Sequence, residues 1–296
     1  MIEFKPLSPD DYEKAAPKLR AQGIENSEHC FATMLVWGQR QPIDIGYSDG
    51  ALFMRSDGGD HLWYLYPRGD IDEKKAIEEI FDDARRQGKE PWIYGIDEKR
   101  AEFLMREFSD RLIVEEDRDT EDYIYLSSDL INLPGKKYQK KRNHCSKFTR
   151  ENPDYKLIPI SSENIDRAKE FEYWWSDNYN SDGSRDLASE QKGILLLLDN
   201  FEKLELMGAM IETNGEIVAL SIAALISDEM VDVVVEKAHH DVSSAYAVIN
   251  RDFAAHSFSK FKYINREDDM GEENLRTAKM RYFPYEIKKK FIAISR

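Results

Sequence analysis

Cysteine is scarce in this chain of 296 residues. Cys30 and Cys145 are the only two, too few and too far apart for a disulfide framework or a thiolate metal site. Long apolar runs are missing as well. The longest patch, Ile194–Leu198, falls far short of the roughly 20 residues a membrane helix needs. The opening Met-Ile-Glu-Phe-Lys-Pro has no signal-peptide pattern. Six histidines are present, none in a His-Glu-x-x-His or comparable spacing, so no metal is expected. These absences together make a reducing cytoplasm the expected compartment. Positive charge is in deficit, with 42 Lys and Arg against 57 Asp and Glu, net −15. That balance argues against a protein coating long nucleic acid. The rest is ordinary globular composition, 41% hydrophobic and 11% aromatic, enough for one large or two modest domains.

Against this acidic background, residues 135–150 stand out. Gly-Lys-Lys-Tyr-Gln-Lys-Lys-Arg-Asn-His-Cys-Ser-Lys-Phe-Thr-Arg holds seven Lys or Arg and no Asp or Glu, so the remainder of the chain carries −22. Such an island suits an anion: a phosphate, a nucleotide or an RNA backbone. The competing reading is a basic connector, linker or helix, that neutralises two acidic halves.

The two halves share one rhythm. In the second, Lys156–Ile160 reads as a strand, followed by helices towards Tyr179 and over 187–203. Glu205–Thr213 and Glu216–Ile226 read as strands around the hairpin signal Asn214-Gly215. Met230–Glu236 is a valine-rich strand, Ser243–Lys260 a helix, Phe261–Asn265 a strand and Asn274–Tyr282 a short helix stopped by Pro284. Tyr285–Ser295 reads as one final strand. In the first half, Ile43–Tyr47 and Ala51–Arg55 flank Ser-Asp-Gly. Strand Leu62–Tyr66 comes next, then amphipathic helix Asp72–Gln87, strand Trp92–Ile96, helix Glu98–Phe108, and strands Leu112–Glu116 and Tyr123–Leu126. Ser27–Trp37 is expected to pack the first half. The same order twice predicts an α/β chain, of the α+β mixed-sheet kind, built from two tandem modules. The first spans 1–130 and the second 156–296, with 131–155 as the basic connection, and the second carries the expected active site.

This order resembles the GNAT-type N-acyltransferase fold, the fold of acyl-CoA-dependent N-acyltransferases. Three motifs sharpen the resemblance: Leu-Pro-Gly-Lys-Lys-Tyr-Gln-Lys-Lys-Arg-Asn-His (133–144) with Phe148, Val-Glu-Lys-Ala (235–238), and Tyr-Ile-Asn-Arg-Glu-Asp-Asp-Met-Gly (263–271) followed by Leu-Arg-Thr-Ala-Lys-Met-Arg-Tyr-Phe-Pro (275–284). Together they resemble soluble proteins related to the C-terminal domain of phosphatidylglycerol lysyltransferase, over nearly the whole chain. The lysyltransferases and the FemABX-like enzymes use two GNAT-like domains to move an aminoacyl group from tRNA to an amine or hydroxyl. The resemblance therefore implies a double acyltransferase fold and acyl or aminoacyl transfer.

That chemistry needs a cradle for donor phosphates, a splayed strand for the carbonyl and a base for the acceptor proton. Residues 238–245, Ala-His-His-Asp-Val-Ser-Ser-Ala, lack a glycine-rich phosphate loop but offer Ser243 and Ser244. Donor phosphates are assigned to these two serines with Lys136, Lys137, Lys141, Arg142, Asn143, Arg276 and Lys279. Glu236, Asn265 and Asp269 are the expected catalytic residues, and Arg266, Glu267 and Tyr282 the expected acceptor contacts. Each has a plainer reading: Glu236 as a surface salt bridge to Lys237, residues 265–269 as a helix-capping cluster, and Arg276 and Lys279 as partners of Glu272 and Glu273. Tyr173, Trp174 and Trp175 either stack a base or pack a core.

Two functions follow. One is an acyl- or aminoacyl-transferase using coenzyme A, as acyl-CoA, or aminoacyl-tRNA as phosphate-bearing donor. The other is a non-catalytic nucleotide- or RNA-binding module that keeps the acyltransferase fold.

Overall fold

The computed structural model describes residues 2–23, 25–179 and 187–296. The first half runs β1 (Glu3–Pro6), α1 (Tyr12–Arg20), α2 (Phe31–Trp37), β2 (Ile43–Ser48), β3 (Ala51–Asp57) and β4 (His61–Leu65). It continues through α3 (Glu73–Arg86), β5 (Glu90–Ile96), α4 (Glu98–Glu107), β6 (Leu112–Glu116) and β7 (Asp122–Leu126). Two helices bridge the halves, α5 (Ser127–Asn132) and α6 (Gln139–Glu151). The second half repeats the order: β8 (Lys156–Pro159), α7 (Ile165–Tyr179), α8 (Leu187–Asp199), β9 (Met207–Thr213), β10 (Glu216–Leu225) and β11 (Met230–Ala238). It closes with α9 (Ala245–Ser257), β12 (Tyr263–Asn265), α10 (Glu273–Met280), β13 (Glu286–Lys288) and β14 (Phe291–Ser295). The hairpin signal at Asn214-Gly215 holds, with both residues at positive φ (52° and 81°).

The strands form two seven-stranded sheets, ordered β1-β2-β3-β4-β5-β14-β6 and β13-β7-β12-β11-β10-β9-β8. Each sheet is antiparallel except at one pair, β4 with β5 and β11 with β12. The orders match position for position once β7 and β14 change places. Each half therefore lends its last strand to the other's sheet. The stretch expected to be a single strand over 285–295 is two, because Lys289 and Lys290 carry the chain from one sheet to the other.

A buried ion pair fixes that exchange. Asp122 opens β7 and Lys290 immediately precedes β14, so both stand where a strand crosses over. Lys290 Nζ lies 2.7 Å from Asp122 and 2.7 Å from Glu28, and both Lys290 and Asp122 are buried. Asp122 also accepts from the Ser27 amide at 2.7 Å, the Ser27 hydroxyl at 2.8 Å and Asn265 Nδ2 at 2.8 Å. Burial disfavours the Lys290 ammonium, yet the facing Asp122 and Glu28 charges raise its pKa above the ordinary lysine range. Buried charges persist only when compensated in this way.

The modules also share a core. One apolar cluster joins Leu35, Ile45 and Leu52 of the first half to Ile194, Leu197 and Leu220 of the second. Helix α2 contributes by packing across the halves onto α8, where a Cβ on Gly193 would meet Val36 Cα at 2.7 Å. Among the described residues no helix is long and apolar enough to cross a membrane.

Candidate functional site

The basic segment folds as α6, and its residue spacing sorts it into two faces. Tyr138, Lys141, Cys145 and Phe148 recur at intervals of three and four, so they share a face. Tyr138, Cys145 and Phe148 are buried, an anchor of about 2 kcal/mol for Phe148 alone. Lys141 rides on that inward stripe, with Nζ 3.3 Å from the centre of the Tyr282 ring. Burial, then the neighbouring Arg266 charge, lowers its pKa to about 8. Lys140, Asn143 and Lys147 face solvent, as do Lys136 and Lys137 in the preceding turn. Lys137 lies 3.4 Å from Asp129. Arg142 turns back to donate to the carbonyls of Leu133 and Gly135, closing the turn where Leu133 adopts φ 47°.

Helix α6 meets the 238–245 loop. His144 Nδ1 lies 3.0 Å from Ser244 Oγ, and Lys147 Nζ donates to Ser243 Oγ at 3.1 Å. Burial and the charges of Lys141, Lys140 and Lys147 lower the His144 pKa. The two sequence features assigned to donor phosphates thus share one face. Ser244, at φ 73°, is the N-cap of α9, but its hydroxyl makes no capping bond to the helix amides.

Beside this junction the second sheet splays. Parallel pairing of β11 with β12 ends at Asp232 opposite Asn265, while β11 continues to Ala238. The gap holds Arg266 and Glu236, joined at 2.7 Å, with Asn250 Nδ2 donating to the other Glu236 oxygen at 3.1 Å. The Arg266 guanidinium also lies 4.9 Å from the Tyr282 ring and 5.7 Å from Tyr125. Its Nη1 is buried and has no hydrogen-bond partner among the described residues. The salt bridge weighed for Glu236 thus goes to Arg266. Strand alternation turns Lys237 the other way, to Glu172 at 2.8 Å, Glu190 at 3.3 Å and the Trp175 ring at 4.2 Å.

Residues 265–269 form a wall with different chemistry on its two sides. Arg266 faces Glu236, whereas Glu267, at φ 55°, turns to accept from Thr33 at 3.2 Å on the far side. Asn265 and Asp269 are buried inside the wall. Asn265 holds Asp122, and Asp269 accepts from Arg276 at 2.9 and 3.0 Å, Tyr123 at 2.5 Å and Arg118 at 3.4 Å. Burial opposes the Asp269 charge, but these partners hold its pKa at about 2. Arg276 reaches Asp119 as well, at 3.1 Å. Lys279 donates to the carbonyls of Arg266, at 2.6 Å, and Asp268. Four residues expected at the site, Asn265, Asp269, Arg276 and Lys279, are therefore committed to shaping this wall.

Behind the wall, between the modules, lies a cleft of about 460 Å³. Glu28, Thr33, Glu267, Asp268 and Lys290 line one part, and Met34, Trp37, Trp63, Tyr94 and Phe291 the other. A single Thr33 hydroxyl serves two carboxylates there, Glu267 and Asp232, the latter at 2.9 Å. Burial, then the Asp122 charge, raises Asp232 to about 8; burial, then Asp232, raises Glu267 well above the carboxylate range. Burial lifts Glu28 to about 7. Apart from Glu267 and the 265–269 motif, sequence reading missed this cleft, because its residues are scattered from 27 to 292 and no spacing links them.

Two seven-stranded sheets of matching order, each with one parallel pair joined by a crossover helix, define a tandem GNAT-like protein. A tandem GNAT protein of the clavulanic acid biosynthesis pathway superposes at TM-score 0.50 with 8% identity, over 100% of this chain and 98% of that one. Residues 21–294 match the family described as phosphatidylglycerol lysyltransferase, C-terminal, and the chain belongs to that family. A conserved protein of unknown function from Bacteroides thetaiotaomicron shares 33% identity at TM-score 0.94, with both chains fully covered. The structure of L-PGS from Bacillus licheniformis shares 18% identity at TM-score 0.67, over 95% of this chain and 91% of that one. No curated protein matches.

Proposed function

We propose that this protein is an acyl- or aminoacyl-transferase whose phosphate-bearing donor, aminoacyl-tRNA or acyl-CoA, binds the second module. The meeting of α6 with the 238–245 loop carries this reading. It sets Lys147, His144, Ser243 and Ser244 together on an otherwise acidic chain, next to a strand splay. These groups fit phosphate oxygens, which accept hydrogen bonds from ammonium and hydroxyl donors. Lys136, Lys140 and Asn143 extend the face to solvent. At the splay, the unpartnered Arg266 Nη1 supplies an N–H for a carbonyl oxygen that gains charge in the transition state. Glu236, fixed by Arg266 and Asn250, takes the proton of the acceptor amine or hydroxyl. Asn265 and Asp269 act through the wall they hold rather than by contact. Tyr282 and Glu267 offer acceptor contacts on its two sides, and membership of the lysyltransferase family favours an aminoacyl group.

The test is product formation. The protein is incubated with acetyl-CoA or with charged tRNA and a panel of amines and hydroxyl compounds, and products are read by mass spectrometry. Turnover that falls about 100-fold or more in Glu236→Gln supports the proposal, in the range general-base removal costs. One observation favours a binding module instead: the Glu236 carboxylate is already paired with Arg266. On that reading donors bind, nothing turns over, and Glu236→Gln leaves binding unchanged.

A further inference from the structure

We propose that His240 and Tyr246 form a stacking seat for the base of the donor nucleotide, with its phosphate held by Lys147, His144, Ser243 and Ser244. This rests on the donor reading above and adds to it the recognition of the base.

Three rings stand in a file at the mouth of the splay. Tyr179 lies 4.0 Å from His240, inclined by 31°, and His240 lies 6.3 Å from Tyr246, inclined by 38°. The first pair is in stacking contact. The second is opened to near the upper end of ring-pair separations, which run to about 7 Å. Both of its members are exposed, Tyr246 by 36%. Among the described residues Tyr246 makes no ring contact except with His240. The neighbouring aromatics differ. Trp174 is stacked on His239 at 3.6 Å, and Trp175 donates its indole N–H to the Ala238 carbonyl at 3.1 Å. These two are occupied by the fold and hold the 238–240 segment in place. His240 is anchored too, its amide donating to the Tyr179 hydroxyl at 2.9 Å. The file therefore ends in two exposed rings on a fixed support.

The surroundings select a nucleotide. Ser243 and Ser244 lie between the two rings in sequence and carry the contacts from Lys147 and His144. A base on Tyr246 thus has cationic and hydroxyl donors for its phosphate close by. Stacking on an aromatic ring suits any base, because every base has a π-face. The reacting end is also near. Tyr246 and Asn250 are four residues apart on α9, hence on one face and one turn apart, and Asn250 binds Glu236 at 3.1 Å. A base seated here suits a donor whose acyl group is esterified to the ribose of the same nucleoside. In coenzyme A the thioester is separated from the adenine by a long arm.

Calorimetry and tryptophan fluorescence with simple probes decide the matter, since Trp175 lies 6.3 Å from His240. Adenosine 5′-monophosphate is compared with ribose 5-phosphate, which has the phosphate and lacks the base. The seat predicts about 10-fold or tighter binding of the adenosine compound, the range a stacked base supplies. Tyr246→Ala should erase that difference and leave ribose 5-phosphate unchanged, while Tyr246→Trp should keep it. His240→Ala, at an exposed position, should narrow it. Adenosine 3′,5′-bisphosphate separates the sources: preference for it over the 5′-monophosphate points to coenzyme A, and the reverse to an RNA 3′ end. Equal affinity for adenosine 5′-monophosphate and ribose 5-phosphate overturns the seat. So does a base preference that survives both alanine variants. These outcomes are read without turnover, so loss of the seat and loss of the transferase reading are separable.

Discussion

The two modules share a strand order but part company where the third hairpin-region strand turns into its helix. In the first module, Tyr66–Asp72 is shut against the hairpin of β2 and β3. Leu52 and Arg68 exchange both backbone hydrogen bonds, at 2.7 and 3.0 Å, and a Cβ on Gly69 (φ 120°) would meet the Gly50 carbonyl at 2.6 Å. Arg68 is wholly buried and donates to the carbonyls of Leu19 and Ala21. The first amides of α3 are capped by Asp72, which accepts from the Lys75 amide at 3.1 Å. That turn is thus closed by its own backbone and by the Asp72 cap. In the second module the corresponding turn is open to solvent at His240, Asp241 and Ser243, the Ser244 hydroxyl makes no capping bond to the α9 amides, and α6 brings Lys147 and His144 to it. One frame thus carries two different turns: the first is closed against its own hairpin, and the second is met by the cations of α6.

The comparison depends first on the strand exchange that makes the modules inseparable. Lys290→Met leaves Asp122 and Glu28 buried without their cation and should cost about 3–5 kcal/mol in urea unfolding. A loss below 1 kcal/mol would mean that the crossing points do not lock the halves.

Next comes the open turn. Lys141 stands between the two ends of the site, its charge acting on His144 and lying beside Arg266, so Lys141→Ala should weaken donor binding about 10-fold, whereas Lys141→Arg should retain most of it. A pH titration sharpens this. With its pKa at about 8, Lys141 loses its charge as pH rises past that value, so donor affinity should fall above pH 8 in the wild type. Lys141→Arg should remove that fall. Stability should move oppositely, since between about 8 and the ordinary lysine value of 10.5 the unfolded chain binds the extra proton.

The closed turn gives the matching control. Asp72→Ala removes a helix cap and should lower stability by about 1 kcal/mol without changing donor affinity. A change in affinity would put a ligand in the first module.

The last test concerns β11. Asp232 titrates at about 8 in the fold against 3.8 as its ordinary value, so the fold binds more protons and loses stability as pH climbs between them. Asp232→Asn should flatten that slope, so its melting temperature should change less than that of the wild type between about pH 5 and pH 8. An unchanged slope would show that another carboxyl carries it.

Much of this was legible before any coordinates. The repeated element order and both hairpins follow from local patterns that local chemistry dictates, whereas joining the basic segment to the 238–245 loop rested on what the expected donor requires. The inward position of Lys141 went unread, although 138, 141, 145 and 148 mark one helical face. The strand exchange was not. Strand propensity says which residues extend and is silent on their partners, so 285–295 reads as one strand although Lys290 redirects it. Asn265, Asp269, Arg276 and Lys279 look like free site groups in sequence because their partners, Asp122, Tyr123 and the carbonyls of 266 and 268, depend on the exchanged strand and the turn it supports.

The most direct test of the open second-module turn is a calorimetric titration of wild type and Lys141→Ala with coenzyme A, acetyl-CoA and bulk charged tRNA, at low and moderate salt. Saturable binding of one donor, weakened by salt for RNA and about 10-fold or more by the substitution, is the predicted result. Binding of equal strength in both proteins, or of none of the three donors to the wild type, would contradict it.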